Sequence, residues 1–327
     1  MIRAPVRRTF LSVLALALAG ACAREEARSA AASGGESIVV YVAASLAAPV
    51  RAAAADFERA TGTRVQLESG GSLDHARKIT ELGRIPDLLV LADHDVFPQL
   101  LVPAHVAWYV PFARNRMVVA YTARSRAADA MDAARWYEVL ARPDVEVGRP
   151  DPARAPAGYR ALLMLQLAER HYAHPGLARA VLARAPSRNV RPNAAELAAL
   201  LELREVDYVI EYESLARARG FRFVALPPEI DLGDPGRADD YDRAAVRIPG
   251  GRVGDSITVR GAPILYALAV PTRAPHRAAG ERFAAALLGA AGAAHFRTAH
   301  VELLDTMRVV GRDAPAALDS VLVPRGR

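Results

Sequence analysis

The sequence predicts an α/β fold. Three observations carry that expectation: from Ser37 onward short apolar runs alternate with amphipathic stretches, the first two such units share one strand, serine, helix plan, and no repeat recurs at a solenoid period. With 327 residues, 52% of them apolar, the chain has material for one large domain or two lobes around a buried core.

The chain reads differently before Ser37. Arg3, Arg7 and Arg8 precede an apolar run over 10–19, and Gly20 and Ala21 precede Cys22, which is the pattern of an export signal over 1–21. The run is too short to span a bilayer as a helix. Cys22, the only cysteine, sits where a bacterial lipoprotein signal places the residue that becomes acylated, so no internal disulfide can form. The expectation is a periplasmic or cell-surface lipoprotein held to a membrane by that lipid alone; an ordinary secretory signal with an incidental cysteine is the alternative. Residues 22–36 are polar and small, a flexible tether. Of the formal charge of +6, three units belong to the signal's arginines. No basic block with interleaved aromatics is present, which argues against nucleic acid as a partner.

Along the folded part, residues 38–42 form an apolar strand that ends at Ser45, and Leu46, Val50 and Phe57 then recur at helical spacing up to Gly62. Pro49 fits only the first turn of that helix. Strand 64–68, the small stretch Ser69-Gly70-Gly71-Ser72 and helix 73–82 repeat the plan. Strands follow at 87–93 and 116–122, the second read as buried in the first lobe. The stretch 136–160 holds four prolines and reads as irregular, with the crossing to a second lobe at about Thr122. That lobe carries helices over 159–172 and from Asn193, whose Glu196 completes a capping-box pattern, and a strand over 206–210. Residues 231–255 read as a long loop. Strand 263–271 is expected to return to the first lobe, closed by a helix or helix pair over 277–296. The boundaries expected are therefore 37–122 and 256–327 for the first lobe and 123–255 for the second, the sheet being parallel.

In open α/β sheets ligands bind beyond the carboxyl ends of the strands, where helix N-termini expose unpaired N–H groups at the positive end of a dipole. Such a site suits an anion. Ser45 and Ser72 sit at two such junctions and Ala157 and Glu211-Tyr212 at two more, although a serine there can equally be a plain helix cap. Enzyme chemistry finds little support: Ser45 lacks the glycines of a nucleophile elbow, the eight histidines show no zinc spacing, and no GxGxxG or Walker pattern occurs. His75, His105 and His171 read as surface or supporting residues, Trp108 and Trp136 as packing, and Glu211 as a carboxylate in the first turn of a helix.

The stretches "VYVAASLAAPVRAAAADFERATG", "ESGGSLDHARKITELGRIPDLLVLAD", "WYVPFARNRMVVAYT", "WYEVL", "PAGYR", "DYVIEYESLA" and "GAPILYALAVP", in this order, resemble the molybdate/tungstate-binding proteins of ABC importers, closest to the tungstate-type branch, over about residues 37–300. The resemblance implies a type II periplasmic-binding-protein fold, two α/β lobes closing on an oxyanion. It implies no enzyme activity, no cofactor beyond the ligand molybdate or tungstate, a monomer, and an ABC permease as partner. Carried over by position, Ser45 and Ser72 would bind through hydroxyl and backbone N–H, Ala157 and Tyr212 mainly through backbone N–H, and Glu211 matches a carboxylate that approaches the metal centre directly. The branch has an aspartate immediately before the proline of "PAGYR", where this chain has Ala155. Two-carboxylate, six-coordinate binding is therefore not expected unless Asp151 substitutes; a tetrahedral oxyanion held by hydrogen bonds is. Rival ligands are sulfate, phosphate or a ferric ion, the last needing tyrosines such as Tyr159 and Tyr212. An enzyme or sensor domain on the same fold is a further alternative.

Overall fold

Strand β1 (Ser37–Ala43) is apolar enough to be buried on both faces, and it sits inside a seven-stranded sheet between β2 (Arg64–Gly70) and β3 (Leu88–Leu91), both parallel to it. The computed structural model describes residues 36–249 and 254–322. Signal 1–21, Cys22 and most of the tether lie outside the described residues.

The sheet continues from β3 to β12 (Leu265–Ala269) and then to β4 (Trp108–Arg114), which also pairs with the short strands β13 (Glu302–Leu303) and β14 (Val310–Gly311). Strand β12 runs antiparallel to both neighbours, so the sheet is mixed rather than parallel as expected. The reason is topological: β12 arrives from the other lobe and enters at the end where β3 and β4 leave.

A smaller five-stranded sheet has the order β7 (Val190–Arg191), β6 (Val147–Pro150), β8 (Tyr208–Tyr212), β5 (Met117–Tyr121) and β9 (Arg222–Ala225). Here the structure corrects the expected boundary. Strand β5 pairs with β8 and β9 and belongs to the second lobe, so the chain crosses between Arg114 and Met117, before rather than at Thr122. An apolar run does not say which sheet it enters. The expected loop 231–255 also contains structure: β10 (Ala245–Pro249) and β11 (Ser256–Arg260) form an antiparallel hairpin, which leaves Ser256 outside the large sheet and the return crossing between Arg260 and Leu265.

Helices flank both sheets. Helix α1 (Ala47–Thr61) buries Val50, Ala53, Ala54 and Phe57 along one stripe, with Phe57 against Phe283, and ends at Gly62 in the left-handed conformation that glycine tolerates. Helix α2 (Ser72–Thr80) follows β2, helix α3 (Pro156–His171) follows β6, helix α4 (Ala194–Glu202) follows β7, and α5 (Glu213–Ala218) follows β8. The pair α6 (Arg277–Leu288) and α7 (Ala290–Thr298) packs on α1 and closes the larger lobe. Trp108 and Trp136 are fully buried, as packing residues would be.

Candidate functional site

The carboxyl ends of β1, β2 and β3 face those of β6 and β8 across a closed cleft. Between them lies a cavity of about 20 Å³, lined among others by Ser45, Ser72, Ala155, Ala157, Asn193 and Tyr212. Four of the five expected ligand residues are thus brought together. The lobes touch at its rim: a Cβ on Gly71 would lie 2.1 Å from the Arg154 carbonyl oxygen, so glycine is what lets the two backbones meet. Around that contact Arg77 donates to the carbonyls of Ala153 and Pro249, each at 2.8 Å, and Arg154 Nε lies 2.9 Å from Asp74 Oδ2.

Neither serine caps its helix. Ser45 lies in a 3-10 turn (Ala44–Leu46) ahead of α1, with its hydroxyl bonded to the Tyr266 hydroxyl. Tyr266 in turn accepts from Asn115 Nδ2 at 2.6 Å, and the same nitrogen donates to Ser214 Oγ at 2.6 Å. Asn115 stands in the crossing between the lobes, so Ser45 is wired to the hinge. Ser72 is the first residue of α2 and is fully buried; its Oγ accepts the Ala92 N–H at 3.0 Å. Because the oxygen already accepts, the hydroxyl proton is the part left to donate to an anion.

Helices α2, α3 and α4 begin at the cavity, at Gly71-Ser72, Ala155–Ala157 and Asn193. First-turn N–H groups have no partner four residues back, and each helix dipole adds partial positive charge there. Among the described residues no Asp or Glu lines the cavity. Donors converge on a space without ionised carboxylates, which is what an anion requires. Asn193 was visible in the sequence as a helix start: its Oδ1 accepts the Glu196 N–H at 3.0 Å and its Nδ2 donates to Glu196 Oε1 at 2.7 Å. Its place in the cleft could not be read from that pattern.

Glu211 departs from expectation. It lies in β8 rather than in a helix turn, and its side chain does not line the cavity. Alternation along the strand sends Glu211 and Val209 to one face, among Ala120, Ala198, Leu215, Ala216 and Phe221, and sends Tyr212 to the other. Its Oε1 accepts the Tyr212 N–H at 2.7 Å, so that amide, expected as a ligand donor, is already engaged, while Oε2 is buried without a partner among the described residues. Burial pushes the carboxyl up to about 8, against the opposing pull of the Tyr212 amide. Ala155 lines the cavity at the start of α3, and Asp151 does not replace it: its Oδ1 accepts the Ala153 N–H at 2.9 Å in a local turn.

His75 is not a surface residue. It is fully buried under the ends of β1 and β2, stacked on Tyr41, with Nε2 3.1 Å from the Val42 carbonyl, and burial holds it neutral with a pKa lowered to about 4. The tyrosines that ferric binding would need are occupied: Tyr159 donates to Asp93 Oδ2 and Tyr212 accepts from Arg160 at 2.7 Å. Asp93, His94 and Asp95 offer ligand atoms within 4.8 Å of one another, but both Asp93 oxygens are engaged by Arg160 and Tyr159.

The chain is similar to an uncharacterized solute-binding protein of Petrotoga mobilis, 39% identical over 258 residues that cover 79% of this chain and 80% of that one. It is 32% identical over 294 residues to the molybdate/tungstate-binding protein WtpA of Pyrococcus abyssi, covering 82% of this chain and 84% of the relative. Among solved structures, the sulfate-binding protein SubI of Mycobacterium tuberculosis superposes with a TM-score of 0.60 at 17% identity, over 88% of this chain and 92% of that one, and shares the periplasmic-binding fold. Among the described residues no helix is long and apolar enough to cross a membrane. The family of bacterial extracellular solute-binding proteins matches residues 38–301, and with the cleft, the fold and these relatives in agreement the chain belongs to that family of non-enzymatic binding proteins.

Proposed function

We propose that this solute-binding protein of an ABC-type transporter captures molybdate or tungstate as the tetrahedral oxyanion and delivers it to its permease. One observation carries the reading: serine hydroxyls and three helix N-termini converge on a small cavity that, among the described residues, no carboxylate lines. The name of the Pyrococcus abyssi relative supports the choice of metal oxyanion. Ser45, Ser72 and Ala157 are the proposed donors, and Tyr212 lines the cavity with its amide held by Glu211. Glu211 controls the state of the Tyr212 amide rather than reaching the metal. The same reading includes signal peptide 1–21, lipidation of Cys22 and a monomer tethered through 22–36.

A second reading, sulfate, is favoured by one feature: with Ala155 in the cleft and Glu211 turned away, no carboxylate is left to reach a metal centre, and a sulfate dianion presents the same oxygens. Isothermal titration of the mature chain with tungstate, molybdate and sulfate separates the two. Heat with tungstate and molybdate and little with sulfate is expected. Sulfate binding tightest supports the second reading, and no heat with any of the three sinks both.

A further inference from the structure

Under the floor of the cleft lies a buried ion pair that the ligand contacts do not use. Asp93 follows β3 of the larger lobe, and Arg160 stands on α3 of the smaller one; they are 2% and 3% exposed. Arg160 Nη2 lies 2.9 Å from Asp93 Oδ1, and Nη1 donates to the Ala92 carbonyl and to the Tyr212 hydroxyl, each at 2.7 Å. Tyr159, beside Arg160 on α3, donates to Asp93 Oδ2, and the Asp95 N–H donates to Oδ1 at 3.0 Å. Burial works against the charge of Arg160, yet Asp93 and Tyr212 hold it above its usual pKa, so the guanidinium stays charged.

The pair connects the two halves of the candidate site. Ala92 donates its N–H to Ser72 and accepts Arg160 at its carbonyl, so two bonds on one residue tie a cavity residue of the larger lobe to the arginine of the smaller lobe. Arg160 then fixes the hydroxyl of Tyr212, a cavity residue of its own lobe. The bonds of Arg160 to Ala92 and Asp93, and of Tyr159 to Asp93, cross from one lobe to the other.

We propose that Asp93 and Arg160 form an inter-lobe latch that assembles on closure and positions Ser72 and Tyr212 around the ligand. The inference rests on the oxyanion reading of the cleft. Arg160 is a positioning residue: opening hands both charges back to water, and closing pairs them. Removing one partner leaves the other buried and unpaired in the closed form alone, so closure is what suffers. Removing both leaves no orphaned charge.

The test compares wild type, Arg160→Gln, Asp93→Asn and the double variant as full mature chains. Readouts are tungstate affinity by titration, lobe closure by small-angle scattering with and without tungstate, and ligand-free thermal stability. Each single variant is expected to lose at least ~100-fold in affinity and to stay open with tungstate, while its ligand-free Tm remains that of wild type. The double variant is expected to bind more tightly than Arg160→Gln, a non-additivity that a remote pair of sites would not show. Wild-type affinity and closure in Arg160→Gln would overturn the latch. So would losses that multiply in the double variant, or a ligand-free Tm that falls with either substitution, since the pair would then support the fold and not closure. If wild type binds no oxyanion, it is the reading of the cleft that fails.

Discussion

At the scale of single residues, Glu211 and Ala155 set the chemistry of the cleft. Ala155 was legible through the resemblance alone, which places an aspartate immediately before the proline of "PAGYR" where this chain has alanine. The direction of Glu211 was not, because one step along a strand turns a side chain to the opposite face. Its burial has a consequence for stability. With a folded pKa of about 8 against an ordinary 4.5, the folded chain holds this proton more tightly than the unfolded one. Stability is therefore lost as pH rises from about 4.5 to about 8, the reverse of an ion-paired carboxylate. Glu211→Gln keeps an acceptor for the Tyr212 amide and removes the titration. The ligand-free variant is expected to match wild type near pH 4.5 and to exceed it by a few kcal/mol, to order of magnitude, at pH 8. Urea denaturation at both pH values measures this; parallel curves for the two proteins would show that Glu211 is ionised or solvated in the ligand-free state.

At the scale of elements, the strand, serine, helix units around Ser45 and Ser72 were readable because each combines a burial pattern with a helix start. Two other elements were not. Strand β5 is a buried apolar run like β3, and only pairing with β8 and β9 assigns it to the smaller lobe. Strand β10 does alternate, Val246 and Ile248 inward and Arg247 outward, but its surroundings of glycine, aspartate and arginine hid it. Helix α3 is placed by close contact: a Cβ on Gly158 would lie 2.4 Å from the Asp151 carbonyl carbon, so the loop 151–155 lies directly on the helix start. Gly158→Ala must push that loop away at a cost of about 1–3 kcal/mol. Since Arg154 and Ala155 belong to the loop, oxyanion affinity should fall roughly in proportion, by ~5- to 150-fold. Unchanged affinity in the variant would show that the loop does not set the cleft.

At the scale of the molecule, the two sheets present their helix starts to each other, and closure gathers donors from both lobes that neither presents alone. Two lobes and a shared cleft were legible in the order of motifs. The position of the crossings was not, because Asn115 and Arg116 resemble any short polar turn. Asn115 bonds at once to Tyr266 in one lobe and Ser214 in the other, so the crossing is also where the Ser45 contact is anchored. The proposed function requires that a cavity without carboxylates among its described lining hold a tetrahedral oxyanion by hydrogen bonds alone. X-ray absorption at the tungsten edge of the purified tungstate complex tests it most directly. Four short tungsten–oxygen neighbours are predicted; six, with two at longer distance from protein carboxylates, would contradict the account.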